Sequence, residues 1–221
     1  DGQILPAANQ QVRTILPLNT GTNILTSIGD GVNAWTVQLL PDGTNNPTYG
    51  AGQGIEIAQA TSGNELVQGM VFDGAGNTII FGRNTSLGGY VKSILSSGSM
   101  NSGFGGLNSN PAGTMYSSQF DIINGVAQLS NGNYVIVGSR NNVGKIAMLN
   151  PFGIIESGFS VQSFGTNIGS VSVDSLDNIY IAFASSASSV VSVNVAKLNE
   201  TGRLVSSYGN NGIVSGVMTS L

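Results

Sequence analysis

The 221-residue chain has neither cysteine nor histidine. Without cysteine there are no disulfide staples and no thiol nucleophile. Without histidine the commonest general base, the Ser-His and Cys-His nucleophile pairs and the ordinary zinc ligands are also excluded. Charge is scarce too. Asp, Glu, Lys and Arg make up only 8% of the residues, and the seven Lys and Arg are scattered, so a net charge of −4 leaves no basic face for nucleic acid or an anionic membrane. No apolar run approaches the roughly 18 residues of a membrane span, so membrane insertion is not expected. What is abundant is glycine, with 32 residues, and a 40% hydrophobic content that suffices for a core. One folded domain over 1–221 is the expectation.

The apolar residues come in short runs, and the runs recur. Four times a run ends in a turn glycine followed six residues later by an aromatic: Gly43/Tyr49, Gly98/Phe104, Gly153/Phe159 and Gly202/Tyr208. The glycines lie 55, 55 and 49 residues apart. Self-similarity at such a period marks stacked copies of one supersecondary unit. A second landmark precedes an apolar strand in each copy, at Gly21 to Leu25, Gly76 to Ile80, Gly132 to Ile136 and Asp177 to Ile181. Further strand-like runs lie on either side, and a weaker fourth follows the aromatic, as in Ile55 to Ile57 and Ile213 to Val214. Each copy therefore reads as four short strands, at approximately 11–57, 66–116, 123–165 and 169–214. Second strands such as Thr78 to Phe81 and Tyr134 to Val137 are continuously apolar, as expected of sheets covered on both faces.

Four-stranded sheets of this size packed face to face are the blades of a β-propeller. The expectation is an all-β fold of about four blades of four antiparallel strands, or part of a larger propeller. In it Ile79, Ile136 and Ile181 lie on equivalent strands, helix is essentially absent, and Tyr49, Phe104, Phe159 and Tyr208 are buried against their own blades. The segments Leu39 to Gly50 and Lys197 to Ile213 resemble the repeat of the delta-60 family of bacterial propellers, which runs roughly R-L-N-x-D-G-x-L-D-x-x-F-G-x-x-G, and Gly132 to Gly138 echoes the segment before it. The third copy departs from this pattern with Ser160 after Phe159, and the arginine before the leucine is missing. The resemblance implies a fold and a bacterial source; that family has no common catalytic site to carry over.

The eleven carboxylates are the remaining acid and base candidates. Asp73 and Asp174 each precede a turn landmark by three residues, which is the place of a turn-opening Asp; a glycosidase-like carboxylate pair is the sharper alternative. Asp42 and Asp177 read as turn residues. Asp174-Ser175-Leu176-Asp177 lacks the alternating ligands of a calcium loop, no phosphate-cradling motif occurs, and no metal or cofactor is expected. The loops between second and third strands hold Asp30, Asn33, Arg83, Asn84, Arg140, Asn141 and Asn142, a polar set suited to hydrogen-bonding a glycan or a protein, or simply solvated. Trp35 is expected to pack within its blade, with a sugar-stacking platform as the alternative. Asn84-Thr85-Ser86 and Asn199-Glu200-Thr201 match the glycosylation pattern. If the start at Asp1, without methionine or signal peptide, is that of the natural chain, processing is the expectation; the alternative is that the sequence is only part of that chain. Ile4 and Leu5 near one end, and Ile213 and Val214 near the other, offer outer-strand segments for pairing with each other or for self-association. The reading is a non-enzymatic, extracellular or cell-surface module for recognition or assembly; a fibre or layer subunit and a polysaccharide-acting enzyme are the alternatives.

Overall fold

A computed structural model describes residues 11–17, 24–29, 34–50, 55–58, 62–106, 112–159, 162–187 and 190–218. Its elements are fifteen strands: β1 (Gln11–Pro17), β2 (Ile24–Gly29), β3 (Ala34–Leu39), β4 (Ile55–Ala58), β5 (Glu65–Phe72), β6 (Thr78–Asn84), β7 (Gly88–Ile94), β8 (Thr114–Ser117), β9 (Ile122–Gln128), β10 (Tyr134–Arg140), β11 (Val143–Leu149), β12 (Asn167–Val173), β13 (Ile179–Ala187), β14 (Val190–Leu198) and β15 (Ile213–Met218). They form antiparallel meanders, β1-β2-β3-β4, β5-β6-β7-β8, β9-β10-β11 and β12-β13-β14-β15. The fold is all-β and β-propeller-like. Ile79, Ile136 and Ile181 lie on β6, β10 and β13, each the second strand of its sheet, and all three are fully buried.

The third sheet departs from the expected four strands. Among the described residues its fourth position holds only a bridge between Lys145 and Ser163. The chain meets β11 where Phe164 N donates to Gly144 O and Gly144 N to Gly165 O, then leaves through Gly165 in the left-handed region. A side chain at residue 144 would place its Cβ 2.0 Å from Phe164 O, so this close approach depends on glycine.

The repeat in the sequence is a repeat of one turn. In the fourth copy Asn199 N donates to Arg203 O, Gly202 N to Asn199 O, Val205 N to Lys197 O and Tyr208 N to Val205 O; the first and second copies make the same four bonds at Leu40, Gly43, Asn46 and Tyr49 and at Leu95, Gly98, Asn101 and Phe104. All four turn glycines have positive φ, 73° to 89°. The aromatic that follows does not pack only on its own sheet. Tyr49 lies on the turn glycine of the next copy, where a Cβ on Gly98 would come within 2.9 Å of its ring, and Phe159 lies likewise on Gly202 at 2.7 Å. Glycine and aromatic are thus two halves of one contact between consecutive sheets. Tyr49, Phe104 and Phe159 are buried as expected, but Tyr208 is only half-buried. It packs edge-on against Tyr180 at 5.9 Å.

The chain divides into two compact units, residues 1–118 and 119–221. The first has a core of Tyr49, Val67, Met70, Ile80, Tyr90 and Ile94 between its two sheets; the second is centred on Val135, Ile146, Phe164, Ile168, Ile181 and Phe183. In every sheet one extra residue bulges the first strand at the same register, Arg13, Gln68, Asn124 and Gly169. Bulges increase local twist and are common beside functional sites. Asn124 uses its displaced position to donate from Nδ2 to Asn167 Oδ1 and Ile168 O, bonding one sheet to the next.

Candidate functional site

The β10–β11 hairpin closes on Asn141 and Asn142, both with φ in the left-handed region, at 50° and 59°. Two such residues make the hairpin turn that matches strand twist, and asparagine tolerates it. Their role is therefore conformational. Asn141 N also donates to Asp121 Oδ2 at 2.7 Å, and Asp121 N to Ser139 O at 2.8 Å, which binds segment 119–121 along the hairpin. That places Gln119 and Phe120 beside Arg140 and Lys145, and the four line a cavity of about 220 Å³. Arg140 and Lys145 project on one face of the hairpin because Lys145 pairs with Gly138, two residues from Arg140. Gly138 contributes no side chain between them. Phe120 is 1% exposed and forms an apolar wall.

Lys145 Nζ donates to Ser163 Oγ at 3.0 Å. Among the described residues the one ion pair is Lys92 with Glu65, so neither Arg140 nor Lys145 is matched by a carboxylate. Two cations line one cleft, and among the described residues neither stands in an ion pair.

The other site residues expected from the sequence fall elsewhere. Arg83 is exposed on β6 in the first unit. Asn84 is buried and structural: its Nδ2 donates to Ser62 O, and its Oδ1 accepts from Ser86 N and Leu87 N. The glycosylation pattern at Asn84 is accordingly closed to modification in the folded chain. Asp30, Asn33, Ile4 and Leu5 lie outside the described residues. Ile213 and Val214 start β15, with Val214 47% exposed. Trp35 lies on β3, opposite Ile28 and Ile57.

The carboxylates of the glycosidase alternative are turn acceptors. Asp73 Oδ1 accepts from Ala75 N and Asn77 N, and Asp174 Oδ1 from Leu176 N and Asn178 N. Partial desolvation pushes the Asp174 carboxyl upward, but hydrogen bonds from Asn178, Leu176 and Tyr180 outweigh it and hold the group below its ordinary value. Asp177 joins two sheets by accepting from Ser130 N and Ser130 Oγ.

Sequence reasoning missed the most strongly perturbed cluster. Glu65 on β5 and Lys92 on β7 both have fully buried side chains, with Lys92 Nζ 2.7 Å from Glu65 Oε2. Tyr116 on β8 donates to Glu65 Oε1 at 2.7 Å. Lys92 Nζ also lies 5.4 Å from the centre of the Tyr90 ring. Burial lowers the Lys92 ammonium, against the pull of Glu65, and burial followed by the Glu65 charge raises the phenols of Tyr90 and Tyr116. The available signal was Lys92 itself, a lone charge inside the run Tyr90-Val91-Lys92-Ser93-Ile94.

No protein-family model matches the chain. No curated protein matches it either. Among solved structures it is similar to a candidate exo-beta-1,3-galactanase from Bifidobacterium bifidum s17, at 11% identity and a TM-score of 0.51, covering 100% of this chain and 73% of the other. It is also similar to the propeller of Dos1, at 8% identity and a TM-score of 0.46, covering 96% of this chain and 58% of the other. The first likeness shows a shared fold and nothing of activity.

Proposed function

We propose that the chain is a non-catalytic recognition module, extracellular or displayed at a bacterial surface and of the delta-60 repeat type, that binds a carboxylated sugar of an acidic polysaccharide in the Arg140–Lys145 cleft. The observation that carries this reading is the pair of cations without carboxylate partners around a cavity of about 220 Å³. A guanidinium matches a carboxylate in two parallel hydrogen bonds, and the Lys145 ammonium adds a point charge. Phe120 supplies an apolar wall and Gln119 lies beside the cations. The cavity is smaller than the about 300 Å³ at the low end of drug-sized pockets, which suits one sugar residue of a longer chain. Catalysis is disfavoured because Asp73 and Asp174 each serve a turn.

Calorimetric titration with an oligogalacturonate and with a neutral galactose oligomer tests the reading. Binding of the acidic oligomer alone is expected, in the region of about 1 mM for a single contacted residue, weakening about tenfold or more in Arg140→Ala. Equal binding of the neutral oligomer, or release of reducing ends from either, overturns it. A poly-glutamate peptide bound as well as the acidic sugar would identify an acidic protein as the partner instead.

A further inference from the structure

We propose that Lys92 and Glu65 condense to an intramolecular amide, a covalent cross-link between β5 and β7 in the first unit. The two side chains are fully buried, and Lys92 Nζ touches Glu65 Oε2 at 2.7 Å with no other partner on that oxygen. Tyr90 Oη and Thr114 Oγ1, buried in the same cluster, also lack partners. Thr114 sits directly across β7 and β8 from Lys92. A sealed ion pair surrounded by unmatched hydroxyls is costly to keep charged. Condensation removes both charges.

The step balances without any co-reactant. A proton passes from Nζ to Oε2, giving a neutral amine beside a neutral acid. The Nζ lone pair attacks Cδ of Glu65 and forms the C–N bond, while the Tyr116 phenol, already donating to Oε1, stabilises the negative charge that develops there. An amine proton moves to Oε2, the Cδ–Oε2 bond breaks, and one water leaves; nothing is oxidised or reduced. Burial favours the uncharged, nucleophilic amine at Lys92. Bulk water opposes amide formation, but the pair is shielded from water, and fixed neighbours act at effective concentrations on the order of 10⁵ M or more.

Intact mass of the full chain under denaturing conditions is the test, after incubation at neutral pH and confirmation of folding by circular dichroism. The expected result is a loss of one water, about 18 Da, from the sequence mass. Trypsin should then leave peptide 14–83 joined to 84–140, with the chain uncut at Lys92. Fragmentation of the joined peptides should locate the link at Glu65 and Lys92. The unaltered sequence mass in folded protein overturns the proposal. So does a water loss that persists in Lys92→Met or that maps to an Asp-Gly pair such as Asp42-Gly43, where succinimide closure has the same mass. The cross-link is independent of the cleft, and sugar binding need not change with it.

Discussion

Gly138→Ala separates two reasons for a glycine that look alike in sequence. Gly138 lies on β10, opposite Ile123 and just beyond the Asn124 bulge, and its φ is not in the left-handed region. An alanine Cβ there would sit 1.9 Å from Ile122 O, a distance real Cβ atoms do not reach. Relief requires β9 and β10 to part by more than 1 Å, which gives up about two ladder hydrogen bonds worth about 1 kcal/mol each and leaves a buried carbonyl short of a donor; the expected cost is about 3 kcal/mol. Gly82 on β6 makes the same approach to Leu66 O at 2.0 Å across the Gln68 bulge, so Gly82→Ala should cost a similar amount. Gly76 is the control. Its φ is +79° and nothing lies within 4 Å of an added Cβ, so Gly76→Ala bears only backbone strain, about 1 kcal/mol. Urea unfolding followed by far-ultraviolet circular dichroism gives the three values, with hydrogen exchange assigning transitions to each unit. A Gly138→Ala protein within about 0.5 kcal/mol of the parent, or one no weaker than Gly76→Ala, would refute the reasoning. The requirement belongs to these two sheets, since β13 holds Phe183 at the corresponding register.

Phe104 is fully buried, so Phe104→Ala should cost about 3 to 5 kcal/mol in urea unfolding, whereas the half-buried Tyr208 should cost about half as much or less; equal losses would count against its weaker packing. The phenols of Tyr90 and Tyr116 are raised first by burial, which acts whether or not Glu65 keeps its charge, so the folded state keeps protons that the unfolded chain releases above about pH 10. Stability that is fully present below that pH should fall as pH rises through it, and Tyr116→Phe should flatten the fall; a parent whose melting temperature is level from pH 9 to 11 would contradict the assignment. Asp174→Ala should lower the urea midpoint of the second unit, because four donors lose their shared acceptor; no change would show that turn to be held by its backbone alone, in which Asp177 has a φ of 58°.

Much of the fold was legible because it is local. The short apolar runs, the turn glycines and the aromatic six residues later are each set within a few residues, and repetition exposes them. The turn role of Asp73 and Asp174 was legible for the same reason: the acceptor and its donors are neighbours in the chain. The partner of each aromatic was not, because the glycine that receives Tyr49 or Phe159 belongs to the following copy.

The candidate cleft was half legible. Arg140 was visible as a loop-end cation, but the cleft needs Lys145 on the same face and Gln119 and Phe120 drawn in by Asp121. Lys92 and Glu65 show the limit most clearly. A charge within an apolar run is compatible with an edge, a snorkelling side chain or a buried pair, and only the register that brings β5 and β7 to opposite sides of β6 decides between them. By itself, then, the sequence determined the all-β class, the four copies and the turn that defines them, since period and glycine act through short-range sterics. The tertiary structure alone decided which charges are matched and which are left without a carboxylate, because Coulombic pairing depends on distances between residues far apart in the chain.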